Sequence, residues 1–363
     1  MKGTRSIAIL SGGGDCPGIN AVIRAVAKKA IIQFGMEVIG IEDGYEGLIH
    51  RRWRKLHYED VSGILTVGGT ILGTSNKSDP YRYATGQGKK LQFRDVSKTV
   101  IANIKKLGVE CLVCIGGDGT LFVSNRFHKE NVPIVAVPKT IDNDLRGTDV
   151  TFGFDTAVSI ATEAIDRVHT TAQSHHRVMI VEVMGRTAGW IALYSGVAGG
   201  GDIILIPEIP YDIDSVVRKV KARHRMGKKF SIVVVSEGAK PKGGEVVVRQ
   251  IVKNSPEQVR LGGISFVLGH QIEQESGIET RQVVLGHLQR GGTPTPTDRV
   301  LATRLGTKAV ELIEAGQFGY MAAVKGNDIT AVPIEEAAKG PRNVPAEHPL
   351  ITSARSVGTC FGD

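Results

Sequence analysis

Short apolar runs along the chain alternate with longer segments in which apolar residues recur every three or four positions. The first pattern is typical of buried strands and the second of amphipathic helices. The apolar runs predict strands over residues 7–10, 37–41, 111–115, 134–137, 177–183, 203–206, 231–235 and 282–285. The amphipathic segments predict helices over residues 19–34, 96–107, 121–129, 157–172, 187–196, 214–226, 262–277 and 298–315.

The order of these elements indicates the fold class. A strand–helix–strand unit opens the chain over residues 7–41, and such units favour a parallel sheet. The alternation restarts after residue 137, so we predict an α/β protein with two Rossmann-like, three-layer α/β/α domains and an active site in the cleft between them. Residues 76–90 and the tail from residue 339 are expected to be the least ordered segments. The first is either a lid over the site or an ordinary surface loop.

Composition and charge narrow the class of partner. The chain has 363 residues, of which 5% are aromatic, and a formal net charge of +8. Because the basic residues are scattered and aromatic side chains that would stack on bases are few, we expect no nucleic-acid partner. A positive field suits anionic small-molecule substrates equally well. We find no stretch near the ~20 apolar residues of a membrane helix and no signal-peptide pattern, so we expect a cytoplasmic protein without membrane contact.

The cysteines do not indicate a metal or disulfide site. Four cysteines are too few for a disulfide framework in a chain of this length. Cys111 and Cys114 have the spacing of half a zinc or redox motif, but residues three apart on a strand face opposite sides of a sheet. We therefore expect both to be core residues.

Residues 116–120, Gly-Gly-Asp-Gly-Thr, follow one predicted strand and precede a helix. Bare backbone N–H groups at a helix N-terminus bind phosphate, and a carboxylate beside them suits Mg²⁺. We therefore predict that Asp118 holds Mg²⁺ against donor phosphates; its alternative role is a helix N-cap. Gly119, without a side chain, leaves room for a larger leaving group. A second glycine-rich stretch, residues 11–18, is either another phosphate loop or a tight turn without a ligand.

Residues 138–144, Pro-Lys-Thr-Ile-Asp-Asn-Asp, follow the next predicted strand. In an extended loop Asp142 and Asp144 point to the same side of the chain. Asp142 is the candidate general base for an acceptor hydroxyl, and Asp144 either orients a cation or contacts Mg²⁺ through water. Lys139 and Thr140 can neutralise and hydrogen-bond a phosphoryl group. A phosphate loop beside a carboxylate pair predicts phosphoryl transfer to a hydroxyl, whereas Asp-Asn-Asp alone is also a common turn sequence.

Two clusters of basic residues follow or begin other predicted strands. One comprises Arg177 with residues 184–186, Met-Gly-Arg; the other comprises Arg281 with residues 285–292, Leu-Gly-His-Leu-Gln-Arg-Gly-Gly. Arginine can bind phosphate through two parallel hydrogen bonds, so both clusters are candidates for gripping a phosphorylated acceptor. Glu237 follows a further strand and is a candidate acceptor of hydrogen bonds from a sugar hydroxyl.

Six segments of the chain, in order, resemble the motifs of the 6-phosphofructokinases of the A type. They are residues 11–21, 68–74, 116–120, 140–144, 182–186 and 285–292. The resemblance implies transfer of the ATP γ-phosphoryl group to the 1-hydroxyl of fructose 6-phosphate with Mg²⁺, a step of glycolysis. It also implies an ATP- and Mg²⁺-binding domain over residues 1–153 with 289–338, and a fructose 6-phosphate-binding domain over residues 154–288 with 339–363.

The resemblance further implies roles for individual residues. Catalytic roles are implied for Gly14, Thr140, Asp142, Asp144 and Arg186. Contacts with ATP and Mg²⁺ are implied for Gly14, Asn76, Lys77, Gly117, Asp118, Gly119 and Thr120, with Asp118 at the metal. Contacts with the sugar phosphate are implied for Thr140, Asp142, Arg177, Met184, Gly185, Arg186, Glu237, Arg281, His287 and Arg290.

Quaternary structure and regulation are also implied only by the resemblance. Family members are commonly homotetramers or homodimers in which Arg177 and Arg281 act at the site of a neighbouring subunit. Bacterial allosteric members bind an effector between subunits. The residues that match effector positions of the family are Arg24, Asp202, Lys228 and Lys229. At two further effector positions, where the family has arginine, this chain has Lys28 and His169.

The phosphoryl donor is where the chain departs from the family pattern. At the positions of Gly119 and Lys139, ATP-dependent members typically carry two glycines, and pyrophosphate-dependent members carry aspartate and lysine. This chain has one residue of each kind, which resembles the mixed-substrate subfamily. Because Gly119 does not repel the α-phosphate region of a nucleotide, we predict ATP, with pyrophosphate as the alternative donor. A kinase of another family with the Gly-Gly-Asp-Gly-Thr motif and a non-catalytic regulatory subunit are the remaining alternatives.

Overall fold

A computed structural model of the chain describes residues 5–86, 90–253 and 258–363. The strands in these ranges are β1 (Ser6–Ser11), β2 (Glu37–Ile41), β3 (Trp53–Leu56), β4 (Tyr83–Thr85), β5 (Gln92–Arg94), β6 (Cys111–Gly116), β7 (Ile134–Pro138), β8 (Val178–Val183), β9 (Ile203–Leu205), β10 (Ser231–Ser236), β11 (Val248–Ile251), β12 (Val259–Leu261), β13 (Thr280–Val284), β14 (Tyr320–Lys325) and β15 (Asp328–Pro333). The α-helices are α1 (Ile19–Phe34), α2 (Tyr45–His50), α3 (Ser97–Leu107), α4 (Asp118–Lys129), α5 (Phe154–His175), α6 (Trp190–Ala198), α7 (Ile213–Arg225), α8 (Ile264–Ser276), α9 (Pro296–Glu314), α10 (Ile334–Ala337) and α11 (Pro349–Ser356).

Two main sheets organise the molecule. The seven-stranded sheet has the order β15-β14-β7-β6-β1-β2-β3 and is parallel except for its edge strands β3 and β15. The four-stranded sheet has the order β13-β8-β10-β9 and is parallel throughout. Strands β14 and β15 return late in the chain to the first sheet, beside β7. The order within each sheet requires crossover connections, which the helices provide.

Helices cover both faces of each sheet. Helices α1 and α9 pack with one face of the seven-stranded sheet, and α2, α3 and α4 pack with the other. Helices α5 and α6 pack with one face of the four-stranded sheet, and α7 and α8 with the other. One hydrophobic cluster contains residues from both sheets, such as Val113 of β6 and Val181 of β8. The predicted α/β fold with three-layer units is therefore confirmed.

Strand β6 shows how the apolar pattern sets these faces. Its residues alternate between two clusters: Cys111 belongs to the cluster shared with α1, and Cys114 to the cluster on the opposite face. Both thiols are free and buried. The prediction that the two cysteines face opposite sides and serve as core residues is confirmed.

All of the predicted strands and helices are present, with boundaries that shift by up to three residues. Helix α1 begins and ends where predicted, and glycines in the left-handed region flank it at Gly18 and Gly35. Several short strands have no counterpart in the predictions, among them β5 and β11. Every residue of these two strands is exposed, so they lack the apolar alternation that predicts a half-buried strand.

The expectation of a poorly ordered tail is wrong. Helix α11 forms within it, Cys360 bridges to Ile203 beside β9, and Phe361 is fully buried. The pattern missed this because the tail packs through few, separated apolar residues. The other segment, residues 76–90, contains β4, while residues 87–89 lie outside the described ranges. Among the described helices, none is long and apolar enough to cross a membrane.

Candidate active site

Most of the predicted site residues lie at the carboxyl ends of parallel strands in the two sheets. In the seven-stranded sheet the glycine-rich stretch 11–18 follows β1, Asp118 follows β6, and Lys139 follows β7. In the four-stranded sheet Arg186 follows β8 and Glu237 follows β10. Ligands of open α/β sheets bind outside these strand ends, so the placement favours a single site between the two edges.

Thr120 explains why two glycines are needed beside it. Its side chain is buried against Gly12 and Gly116, and a Cβ at Gly12 would lie 2.7 Å from Thr120 Oγ1. Gly13 has a φ of 80°, which side chains rarely adopt. The glycine-rich stretch and the Gly-Gly-Asp-Gly-Thr motif therefore pack against each other, and we name residues 11–18 the glycine loop.

Lys139 restrains the glycine loop through a hydrogen bond from its side chain. Its side chain is only 3% exposed, and Nζ donates a hydrogen bond to the carbonyl oxygen of Gly14. Burial lowers the pKa of the Lys139 ammonium, while the nearby carboxylates of Asp142 and Asp118 act in the opposite direction. The Lys139 amine thus lies between the glycine loop and the carboxylates.

Asn76 and Lys77 directly follow Thr74 and Ser75, two residues that contact the glycine loop. Ser75 O accepts a hydrogen bond from Gly13 N at 3.1 Å, and Thr74 Oγ1 donates to Gly13 O at 2.7 Å. The backbone N–H of Lys77 donates to Ser75 Oγ at 3.3 Å. These contacts fix the two predicted nucleotide ligands next to the loop.

The segment after β7, residues 139–146, is bent rather than extended, which corrects the expectation for Asp142 and Asp144. Asn143 between them has a φ of 52°, in the left-handed region. Asp142 N donates to Thr140 Oγ1 at 3.0 Å, and the Asp144 side chain is buried. We name this segment the carboxylate loop.

Asp144 carries a strongly perturbed carboxyl in this loop. Burial, followed by the charges of Asp142 and Asp118, raises the pKa of Asp144 to about 7. The three carboxylates are therefore close enough to repel one another. Such an arrangement favours retention of a proton by Asp144.

Asp118 begins α4 and is not its N-cap, which is Gly117. The alternative role proposed for Asp118 is therefore wrong. One oxygen, Oδ1, accepts a hydrogen bond from Gly119 N at 2.7 Å, and Oδ2 lies 3.6 Å from Arg186 Nη1. Since Asp118 and Arg186 follow strands of different sheets, this ion pair joins the two strand edges.

Arg186 lies in a strained turn. Gly185 has a φ of 140° and Arg186 a φ of 52°. Arg186 N donates to Glu237 Oε1 at 3.1 Å, and its carbonyl oxygen packs so closely on Gly238 that a side chain there would clash. Burial raises the pKa of Glu237 to about 7. Left-handed non-glycine residues persist only where the surroundings fix them, and they cluster at functional sites.

The stretch 285–292 forms a 3-10 helix, Gly286–Arg290, after β13. Gln289 is fully buried, and its Oε1 accepts a hydrogen bond from Met184 N at 3.0 Å. Arg290 Nη1 donates to Asp15 O at 3.0 Å, beside Gly14. His287 is exposed. This stretch thus links the turn after β8 to the glycine loop.

Arg177 and Arg281 lie away from the other candidate site residues in the structure. Both pair with Glu279, and Arg177 Nε lies 2.6 Å from Glu279 Oε2. They stand at the amino ends of β8 and β13, whereas Arg186 follows the carboxyl end of β8. Six residues of strand separate the two ends by about 20 Å. The structure therefore does not bring these two arginines to the Asp142 side of their own chain.

Arg342 lies near the site, although no pattern in the sequence pointed to it. Its backbone and side chain contact the carbonyl groups of Asn143 and Asp144 in the carboxylate loop. It lies about 200 positions from that loop in the segment expected to be poorly ordered. A pairing at such a distance leaves no local pattern in one sequence.

Comparisons with known proteins show the family of this chain. The family model described as Phosphofructokinase matches residues 6–313. A Clostridium perfringens protein named ATP-dependent 6-phosphofructokinase 2 is 54% identical, over 100% of both chains. An Amycolatopsis mediterranei protein named pyrophosphate–fructose 6-phosphate 1-phosphotransferase is 51% identical, over 94% of this chain and 96% of that protein. The solved phosphofructokinase of Saccharomyces cerevisiae has a TM-score of 0.79 at 32% identity, covering 93% of this chain and 45% of that chain. This chain belongs to the phosphofructokinase family.

Proposed function

We propose that this chain transfers the γ-phosphoryl group of ATP to the 1-hydroxyl of fructose 6-phosphate, giving fructose 1,6-bisphosphate and ADP. The observation that carries the proposal is the meeting of the two strand edges, where Asp118 lies 3.6 Å from Arg186. Phosphoryl transfer depends mainly on positioning and on neutralising charge, and this site supplies carboxylates and cations together. The Clostridium perfringens relative, whose name states this activity, supports the proposal.

Asp118 fits a role in holding Mg²⁺. No cluster of three or more His, Cys, Asp or Glu side chains within the described ranges could hold a metal ion alone. Mg²⁺ is usually bound through one or two carboxylates, with phosphate oxygens and water completing its shell, so one half-exposed carboxylate suits it. When bound with the donor, the ion would neutralise phosphate charge. The buried Asp144 would act through water.

Asp142 is the proposed general base. Its carboxylate takes the proton from the 1-hydroxyl as that oxygen forms a bond to the γ-phosphorus, while the bond from phosphorus to the bridging oxygen of ADP breaks. The hydrogen bond from Asp142 N to Thr140 Oγ1, at 3.0 Å, supports a fixed orientation of the loop. Thr140 and the backbone of Gly14 would contact the phosphoryl group.

Lys139 and Arg186 follow strands of different sheets, and both interact with Asp118. Lys139 is fixed under the glycine loop, and Arg186 is fixed by Glu237 and Gly238. Preorganised cations aimed at developing charge are the largest single contribution in many enzymes. We assign both to stabilising the phosphoryl group in transit.

The donor follows from the space at Gly119. A Cβ built at Gly119 meets nothing within 4 Å, so the protein leaves this position open. Neither bulk nor negative charge there opposes a nucleotide, which favours ATP. Pyrophosphate is the second candidate, because Lys139 suits either donor and the Amycolatopsis relative is named for pyrophosphate.

The sugar phosphate requires residues from a second copy of the chain in this proposal. Met184, Gly185, Arg186, Glu237, His287 and Arg290 contribute from one chain. Arg177 and Arg281, at the far edge of the four-stranded sheet, would bind the 6-phosphate of the neighbouring subunit in a homodimer or homotetramer. Beside Arg281 the face also exposes Phe266, which suits burial between subunits.

The division into domains and the location of the enzyme complete the proposal. The return of β14 and β15 to the first sheet supports the grouping of residues 1–153 with 289–338, and the docking of Cys360 beside β9 supports the grouping of 154–288 with 339–363. The four cysteines are free, which suits the reducing cytoplasm.

One assay tests the activity and the donor together. Purified protein is given fructose 6-phosphate and Mg²⁺ with ATP or with pyrophosphate, and fructose 1,6-bisphosphate is measured; NAD replaces the sugar phosphate as the control acceptor. We expect product with ATP. Product with pyrophosphate alone would overturn ATP as the donor, and phosphorylation of NAD alone would overturn fructose 6-phosphate as the acceptor. Absence of product with both donors would overturn the proposed function.

A further inference from the structure

The C-terminal strap, residues 341–344, lies directly against the carboxylate loop. Pro341 forms an antiparallel bridge with Leu145, at the end of that loop. Arg146 Nε donates a hydrogen bond to Pro341 O at 3.2 Å. The strap thus runs alongside the loop like a short additional strand.

Arg342 then contacts two consecutive carbonyl groups of the loop. Its backbone N–H donates to Asp144 O at 2.6 Å, and its Nη2 donates to Asn143 O at 2.9 Å. The Arg342 Nε is buried and has no hydrogen-bond partner within the described ranges. The backbone and one end of the guanidinium therefore act together on the residues that directly follow Asp142.

The opposite side of the strap is bound to the four-stranded sheet. The Arg342 guanidinium carbon lies 4.6 Å from the centre of the Trp190 ring, and Trp190 Nε1 donates to Arg342 O at 2.8 Å. Val344 N donates to Glu208 Oε1 at 2.8 Å. Glu208 also accepts a hydrogen bond from Gly189 N, at the start of α6. The strap therefore connects the carboxylate loop of one sheet with α6 of the other.

Asn143 explains why the loop needs such a restraint. Its φ of 52° lies in the left-handed region, which an L-residue adopts only at a cost in energy. A second restraint comes from Asn143 Oδ1, which accepts a hydrogen bond from Thr151 N at 3.1 Å. Conformations of this kind persist when the surroundings over-determine them.

We infer that Arg342 is a positioning residue for phosphoryl transfer, holding the carbonyls of Asn143 and Asp144, and thereby Asp142, in a fixed relation to α6. This inference rests on the function proposed above. Arg342 acts through the loop, so its loss changes the placement of the base more than the binding of either substrate. A misplacement of about 1 Å in such a site costs on the order of 10²-fold in rate.

The first test compares Arg342→Ala with Arg355→Ala. Arg355 lies in the same tail and, like Arg342, lies over an aromatic ring, that of Phe361; its guanidinium pairs with the Asp363 carboxylate, away from the carboxylate loop. We expect Arg342→Ala to lower kcat by roughly 10- to 100-fold with little change in either KM. Arg355→Ala is expected to retain kcat within about twofold, and Arg342→Lys to lie between. Equal behaviour of the two alanine variants would overturn the inference.

Chemical rescue separates positioning from general stability. Guanidinium ion at low concentration fits the space left in Arg342→Ala and restores part of the contact with Asn143 O and the Trp190 ring. We expect it to raise the kcat of this variant severalfold while leaving Arg355→Ala and the unaltered protein unchanged. Urea, which carries no charge, is the control. A loss of activity in both solutes, as for a merely destabilised variant, would contradict the inference.

A measurement without activity distinguishes this inference from the proposed function. Hydrogen exchange is followed in peptides that cover residues 140–147 of the Arg342→Ala and Arg355→Ala proteins. We expect faster exchange in these peptides only in Arg342→Ala. Unchanged exchange would overturn the positioning role even in an active enzyme, whereas faster exchange in a protein without kinase activity would overturn only the proposed function.

Discussion

Asp118 and Arg186 face each other at 3.6 Å between the carboxyl ends of β6 and β8. The two side chains are 41% and 39% exposed, so solvent screens their attraction and the pair contributes little to stability. Incoming phosphate can therefore displace the carboxylate from the guanidinium at small cost. Without substrate the pair serves to keep Arg186 directed toward the proposed metal ligand.

Replacing Arg186 should affect the rate more than the fold. We expect Arg186→Ala to lower kcat by about 10²–10³-fold, because one preorganised donor to the transition state is lost. Arg186→Lys should recover only part of this, since lysine cannot donate two parallel hydrogen bonds. Steady-state kinetics provide the check. The control variant is Arg304→Ala, because Arg304 lies on α9 and donates a hydrogen bond to Asn327 O. Equal kcat values for Arg186→Ala and the control would contradict the role.

Gly119 should determine whether ATP is accepted. Because a Cβ there meets nothing within 4 Å, both Gly119→Ala and Gly119→Asp should fold normally. We expect Gly119→Asp to abolish ATP use through charge repulsion and Gly119→Ala to retain much of it. Kinetics with ATP and pyrophosphate, beside thermal unfolding of both variants, test this. Full ATP use by Gly119→Asp would show that position 119 does not set the donor.

Asp144 should give the pH dependence of the reaction. Its pKa of about 7 means that it is ionised, and able to orient a cation, only above neutral pH. We expect kcat to fall as pH drops through about 7, and Asp144→Asn to have a lower kcat without this limb. An identical pH profile in Asp144→Asn would assign the limb to another group.

The same shift has a consequence for stability. Folding favours the protonated form of Asp144, so its stabilising contribution is present below the ordinary pKa of 3.8 and is lost as pH rises through about 7. Asp144→Asn removes the buried charge. Its Tm relative to the unaltered protein should therefore rise between about pH 4 and about pH 7 and level off above that, as thermal unfolding across this range would show; a constant difference would contradict the shifted pKa.

Arg281 should act on the site of another chain. Arg281→Ala and Asp142→Asn should each be nearly inactive alone. In a mixed oligomer, the chain with intact Asp142 would receive Arg281 from its partner, so co-expression should restore activity. Mixing two Asp142→Asn preparations is the control. No recovery in mixed oligomers of demonstrated composition would contradict action between subunits.

The sequence predicted the parts of this protein that local pattern determines. Helix α1 has glycines at both ends and a regular apolar face, so both of its boundaries were correct. The exposed strands β5 and β11 have no such face and were missed. The candidate site residues could be proposed from the sequence because each set follows or begins an apolar strand.

The conformation of the carboxylate loop was not readable in the same way. Its bend depends on Asn143 in the left-handed region, and the contacts that restrain Asn143 come from Thr151 and from the distant Arg342. An extended loop was the simplest expectation from the neighbouring residues alone. Tertiary contacts of this kind override local preference and leave no periodic signal.

The most direct test of the central claim is the kcat of Asp142→Asn, an isosteric change that removes the base. Asp149→Asn is the matched control, because Asp149 binds Gly326 N and Lys325 near the same loop but outside the site. We predict that Asp142→Asn lowers kcat by about 10²–10⁴-fold while ATP and fructose 6-phosphate still bind, and that Asp149→Asn changes kcat little. A decrease of only about twofold in Asp142→Asn would contradict the assignment of Asp142 as the general base.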